Sequence, residues 1–128
     1  MSKQIVQTDQ APAALGPYSQ AVKIQSSSIL YVSGQLGLDP KTAELVSDDF
    51  EAQVRQAFSN LINVIQAGGG SVNNIIKLGL FVTDLSHFAT VNQVMLEVIN
   101  EPFPARSTVE VSALPKGGLF EVEAVVAL

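Results

Sequence analysis

The chain contains no cysteine, which removes disulfides, thiolate catalysis and zinc–cysteine sites together. It has a single histidine, too few for a multi-histidine metal centre, so any metal chemistry would need carboxylates alone. Basic residues are also scarce: 7 Lys and Arg stand against 12 Asp and Glu, for a net charge of -5. Long-range electrostatics therefore oppose nucleic acid and anionic membrane surfaces, and an anion site would have to be local. No apolar run approaches the roughly 20 residues of a membrane helix. The opening Met1-Ser2-Lys3-Gln4 leads into polar residues without an apolar signal core, so a cytoplasmic location is expected.

What the chain does have is apolar residues. They make up 47% of 128 residues, charged ones only 15%, and the mean hydropathy is +0.30. That length fits one domain, residues 1–128, with one core, and the apolar excess has to be buried somewhere else as well.

Along the chain, Ile5-Val6 is a short apolar pair before a loop rich in Pro and Gly that carries Gly16-Pro17-Tyr18. Residues 21–24 and 29–35 are β-rich runs separated by Gln25-Ser26-Ser27-Ser28, which predicts a hairpin, with Gly34 ending or bulging its second strand. Asp48, with Glu51 three residues later, resembles a capping box before the helical stripe Phe50, Val54, Phe58, Leu61, Ile62 and Ile65. Gly68-Gly69-Gly70 ends that helix; no Gly-Lys-Ser/Thr follows it, as a phosphate loop would require. Residues 75–82 are apolar on both faces, the mark of a central strand. Asp84 or Ser86 can cap a second helix with Phe88, Val91, Met95 and Ile99 buried and the lone His87 exposed in its first turn. Strands over 106–111 and 119–126 follow, joined by the turn Leu114-Pro115-Lys116-Gly117-Gly118. Two helices and a sheet make an α+β class with both helices on one face. The second face is then left to self-association, which would absorb the apolar excess and put Leu119 and Val125 at an interface.

The stretch Phe103-Pro104-Ala105-Arg106-Ser107-Thr108-Val109-Glu110-Val111 carries the candidate chemistry. Pro102 and Pro104 exclude helix, and the β-branched residues beyond continue an extended run, so Arg106 stands where a loop stiffens into a strand. Alternation puts Arg106, Thr108 and Glu110 on one face and the valines on the other. If the last two strands are antiparallel neighbours, Glu121 lies about 5 Å from the arginine's strand, as a catalytic partner or as a plain salt bridge.

Four motifs in order, Gly16-Pro17-Tyr18, Ser33-Gly34-Gln35, Pro104-Ala105-Arg106-Ser107 and Glu121-Val122-Glu123-Ala124, resemble the YjgF/RidA family of reactive-intermediate deaminases over essentially the whole chain. The resemblance implies a two-layer, chorismate-mutase-like subunit with a mixed β-sheet, assembled as a homotrimer with clefts between subunits. It implies hydrolysis of 2-imino acids and their enamines, such as 2-aminoacrylate, 2-iminopropanoate and 2-iminobutanoate, to 2-oxo acids and ammonia, with no cofactor or metal. Position by position, Arg106 matches the arginine that grips the substrate carboxylate, Glu121 the glutamate that positions or activates water, and Tyr18 the cleft tyrosine. Ser33 and Gly34 match the segment whose backbone meets the substrate. Many members have cysteine where this chain has Thr108. The family uses that position partly through its backbone N–H, which threonine keeps, so activity is expected with an altered rate or substrate preference.

A binding module that captures a small carboxylate would fit Arg106 equally well, but Glu121 favours catalysis, because a carboxylate sensor has no use for a second anion beside its ligand. RNA cleavage or translation inhibition, attached to some members, is opposed by the net charge of -5 and the lack of a basic stripe.

Overall fold

Residues 120–127, Phe-Glu-Val-Glu-Ala-Val-Val-Ala, alternate apolar and acidic side chains up to Ala124 and end in an apolar run, and they form the strand around which the sheet assembles. The computed structural model describes residues 1–128. Its elements are β1 (Ser2–Val6), β2 (Ala21–Gln25), β3 (Ile29–Leu36), α1 (Phe50–Ala67), β4 (Ile75–Val82), α2 (Phe88–Val98), β5 (Ala105–Glu110) and β6 (Phe120–Ala127). The main sheet has the order β3-β6-β4-β5; β6 runs antiparallel to both neighbours, and β4 and β5 are parallel, with α2 as their crossover. Phe120, Val122, Ala124 and Val126 are buried with Leu78, Leu80 and Val82 of β4 under the helices. The sheet is mixed and both helices lie on one face, as expected.

Helix α1 buries Val54, Ala57, Phe58, Leu61 and Ile65, and α2 buries Val91, Val94 and Met95, with Ile99 just beyond its end. The α1 cap is Asp49, not Asp48: its carboxylate accepts from the Ala52 N–H at 3.0 Å. With Asp49 as the cap the third helical residue is Ala52, so Glu51 closes no capping box; its carboxylate pairs with Arg55 at 3.0 Å on the same helix face, and Arg55 also reaches Glu97 of α2. At the other end the Gly68 N–H donates to the carbonyls of Val64 and Ile65, and Gly69 takes a left-handed φ of 91°, so the glycine run is a cap and turn. Asp84 caps a short 3-10 turn, Leu85–His87, through the Ser86 N–H, and that turn leads into α2; His87 is exposed and packs on the Phe50 ring.

The hairpin expected over residues 21–35 does not form. β2 pairs antiparallel with β1 in a separate two-stranded ribbon, and β3 pairs with β6. The serines between β2 and β3 are the reason: the Ser26 hydroxyl donates to the Leu128 carbonyl, and the Leu128 N–H donates to the Ser28 carbonyl at 3.0 Å. They fasten the chain to the residue after β6, which delivers Ile29 alongside that strand. Further along, Val32 pairs with Ala124 and Gln35 with Val122, so Ser33 and Gly34 together oppose Glu123 alone in a β-bulge.

The sheet face away from the helices carries Tyr31, Lys77, Phe81, Ser107, Val109, Glu121, Glu123 and Val125. Tyr31 is 77% exposed and Val109 45%. No helix is long and apolar enough to cross a membrane.

Candidate functional site

Arg106 stands at the start of β5, an edge strand of the main sheet, on the helix-covered face in register with Leu78. The buried Pro104 and the extended chain before it hold its backbone. Residues 18–19 run alongside that edge: Ser19 bridges Ala105, its N–H donates to the Pro104 carbonyl at 2.9 Å, and its hydroxyl donates to the Phe103 carbonyl. Tyr18 is thereby laid against Arg106. The guanidinium lies between the rings of Tyr18 and Phe88, at 4.8 and 5.0 Å from their centroids. Its Nη1 donates to Asn92 Oδ1 at 2.7 Å and contacts Met95 Sδ at 3.3 Å. Gly16 closes the cage: a Cβ there would stand 3.4 Å from Nη2, and its φ of 144° disfavours any side chain.

No carboxylate pairs with this arginine, since the ion pairs of the protein are Arg55–Glu51, Arg55–Glu97 and Lys116–Glu44. Burial pulls its pKa below the ordinary guanidinium value, and Tyr18 opposes that shift. The guanidinium stays charged without an anionic partner from its own chain. Thr108 lies two residues on, on the same face, with its hydroxyl oxygen buried and unpartnered. Because the Val111 N–H donates to Val82 on β4 and the Pro104 carbonyl points to Ser19, alternation turns the Thr108 N–H outward from β4, towards the sheet's free edge.

Glu121 sits elsewhere. It projects from β6 onto the uncovered face, and its carboxylate rests on the bulge of β3: a Cβ at Gly34 would come within 2.6 Å of Glu121 Oε1 and 2.7 Å of Cδ. Ser33 is exposed beside it, its carbonyl accepting from Gln35 Nε2 at 3.2 Å. Glu123, next on that face, uses the space above Gly79 in the same way. Neither glutamate has a cationic partner.

The expected adjacency of Arg106 and Glu121 is therefore wrong for a single chain. β5 and β6 are not neighbours, because the parallel β4–β5 pair leaves β6 only the opposite edge of β4. Arg106 is level with Leu78 and Glu121 with Phe81, on opposite faces of the sheet. The structure brings together two groups: Tyr18 with Arg106, and Ser33 and Gly34 with Glu121. None of its three cavities is lined by Arg106 or Glu121. No three His, Asp or Glu side chains gather closely enough to hold a metal ion. Sequence reasoning missed Asn92 and the contact role of Phe88. The signal was an amide standing four residues after Phe88 and three before Met95 on an otherwise apolar helix stripe.

The sequence model of the family described as Endoribonuclease L-PSP matches residues 8–128. A 2-iminobutanoate/2-iminopropanoate deaminase of Bos taurus is 41% identical over 123 residues, covering 96% of this chain and 88% of that protein. The crystal structure of RidA from an Antarctic Psychrobacter species superposes with a TM-score of 0.76 at 49% identity, over 98% of this chain and 99% of that one. That of E. coli TdcF with bound serine superposes with a TM-score of 0.71 at 38% identity, over 98% of each chain.

Proposed function

The chain belongs to the Endoribonuclease L-PSP family, the YjgF/RidA family, and from that membership we propose that it is a cofactor-independent deaminase of reactive 2-imino acids and their enamines. The observation that supports this best is the pair of uncompensated charges, a caged Arg106 with no carboxylate on it and a Glu121 with no cation.

The two charges work together if copies of the chain associate. The Arg106–Thr108 segment lies on one edge of the sheet, β5; the Ser33–Gly34 bulge lies on the other, β3, with Glu121 beside it. Setting the β5 edge of one copy against the β3 edge of the next joins Arg106, Tyr18 and the Thr108 N–H of the first to Gly34 and Glu121 of the second. Three copies closing a ring remove both exposed edges of the main sheet and turn the face bearing Tyr31, Phe81 and Val125 inward. This is the homotrimer of the family resemblance, with three clefts.

In such a cleft Arg106 takes the substrate carboxylate through a bidentate charge-assisted pair. The imine carbon then faces a water held by Glu121. Water adds to the C=N bond and its proton passes by way of the carboxylate to the nitrogen; collapse of the carbinolamine expels ammonia and leaves the 2-oxo acid. An imine carbon accepts water readily, so orientation and proton transfer dominate and no nucleophilic side chain is needed. 2-Iminopropanoate and 2-iminobutanoate are the proposed substrates, yielding pyruvate and 2-oxobutanoate.

The serine in the TdcF structure favours a second reading, a small-carboxylate binder without turnover. RNA cleavage, which the family's description names, is opposed by the net charge of -5. Imines generated in situ by an amino-acid oxidase decide between the readings: the deaminase accelerates their loss, and an unchanged rate of loss refutes it.

A further inference from the structure

Arg106 has five N–H donors, and the protein uses only one side of them. Nη1 is spent on α2, donating to Asn92 Oδ1 at 2.7 Å and touching Met95 Sδ at 3.3 Å. Nε and Nη2 have no protein acceptor, and Gly16 lies beside Nη2 without a side chain to cover it. The free edge is the two-pronged one that matches a carboxylate.

Every group in the cage is uncharged. Tyr18, Phe88, Asn92 and Met95 surround the guanidinium, and no carboxylate pairs with it. A half-buried arginine ordinarily acquires a carboxylate, because desolvation of an unpaired charge is costly. At position 92 an aspartate would have the same size, make the same hydrogen bond and neutralise the cation.

We propose that Asn92 is a positioning residue of the carboxylate site: its Oδ1 turns the Nε/Nη2 edge of Arg106 outward, and its neutrality keeps that edge available to a small carboxylate. The inference rests on the reading of Arg106 as the carboxylate grip. It implies that stability has been given up at this position for ligand binding, so a change that improves the fold should damage the site.

The test is the pair Asn92→Asp and Asn92→Ala, with melting temperature followed by calorimetry and affinity measured by titration with 2-oxobutanoate. Asn92→Asp is expected to melt at or above the wild-type temperature while losing on the order of tenfold to a hundredfold in affinity, the range of one hydrogen bond to a charged group. Asn92→Ala is expected to melt lower and bind several-fold more weakly, because its arginine keeps its charge but loses its anchor. The opposite movement of stability and affinity in the aspartate variant is what a purely structural asparagine would not give. Wild-type affinity in Asn92→Asp overturns the inference alone, as does a joint fall of stability and affinity like that of the alanine variant. Absence of 2-oxobutanoate binding to the wild-type protein removes the carboxylate reading of Arg106 and the inference with it.

Discussion

Gly34→Ala separates the position of Glu121 from the stability of the fold. A methyl at residue 34 would lie 2.6 Å from Glu121 Oε1, whereas ordinary contact begins at 3.4 Å, so the carboxylate has to retreat by about 0.8 Å. What it displaces is the far end of a partly exposed, flexible side chain, and alanine regains roughly 0.5 to 1 kcal/mol over glycine within a strand, so the net stability change should stay within about 1 kcal/mol. Turnover should respond strongly, because misplacing a reacting group by about 1 Å can cost on the order of a hundredfold; a ten- to hundredfold lower kcat is expected. The assay follows loss of imine generated by an amino-acid oxidase, with 2-oxobutanoate affinity and melting temperature measured on the same preparation. Gly79→Ala is the control: its methyl would crowd Glu123, 2.9 Å from Cγ, on the same sheet face, and should spare kcat even where it costs stability. Full turnover by Gly34→Ala, with its Glu121 shown displaced in a crystal structure, would refute a role for that carboxylate in holding water.

Arg106→Lys keeps the charge and loses the fork, so kcat/KM should fall by about one to two decades while the chain stays folded; wild-type kinetics would make the arginine structural. Glu121→Gln should lower turnover and retain affinity for 2-oxobutanoate, whereas the arginine change loses both. Sedimentation at assay concentrations should find a trimer, and a stable, active monomer would overturn the shared cleft. Asp49→Ala should lower stability by about 1 kcal/mol in thermal unfolding and Asp48→Ala should not, because only the former accepts the Ala52 N–H.

The parts of the structure legible in the sequence are those set by local chemistry. The stripes of α1 and α2, the glycine stop at 68–70, the alternation of β6 and the bulge at Gly34 all follow from neighbouring residues. Pairing partners were not legible, because they depend on residues far along the chain: the Ser26 hydroxyl finds Leu128 across 102 positions and diverts a run that locally resembles a hairpin. The candidate site divides the same way. That Arg106 and Thr108 share a face followed from strand period, but that this face lies under α2, with Asn92 waiting there, required the parallel β4–β5 pairing. That pairing also put the arginine and Glu121 on opposite faces.

Strand β6 is the last of the sheet strands to be synthesised, and it occupies an interior place between β3 and β4. Until residues 120–127 have left the ribosome, β3 lacks its partner in the main sheet, β4 can pair only with β5, and α1 has nothing complete to cover. Completion of the main sheet thus waits for β6, and Leu61, Leu78 and Leu80 stay accessible to chaperones and to other nascent chains until then. A pause or a premature stop before Phe120 would release a species with two unsatisfied strand edges at its centre. Insertion of β6 closes the main sheet, and the exposure of its edges to aggregation is concentrated in the interval before it.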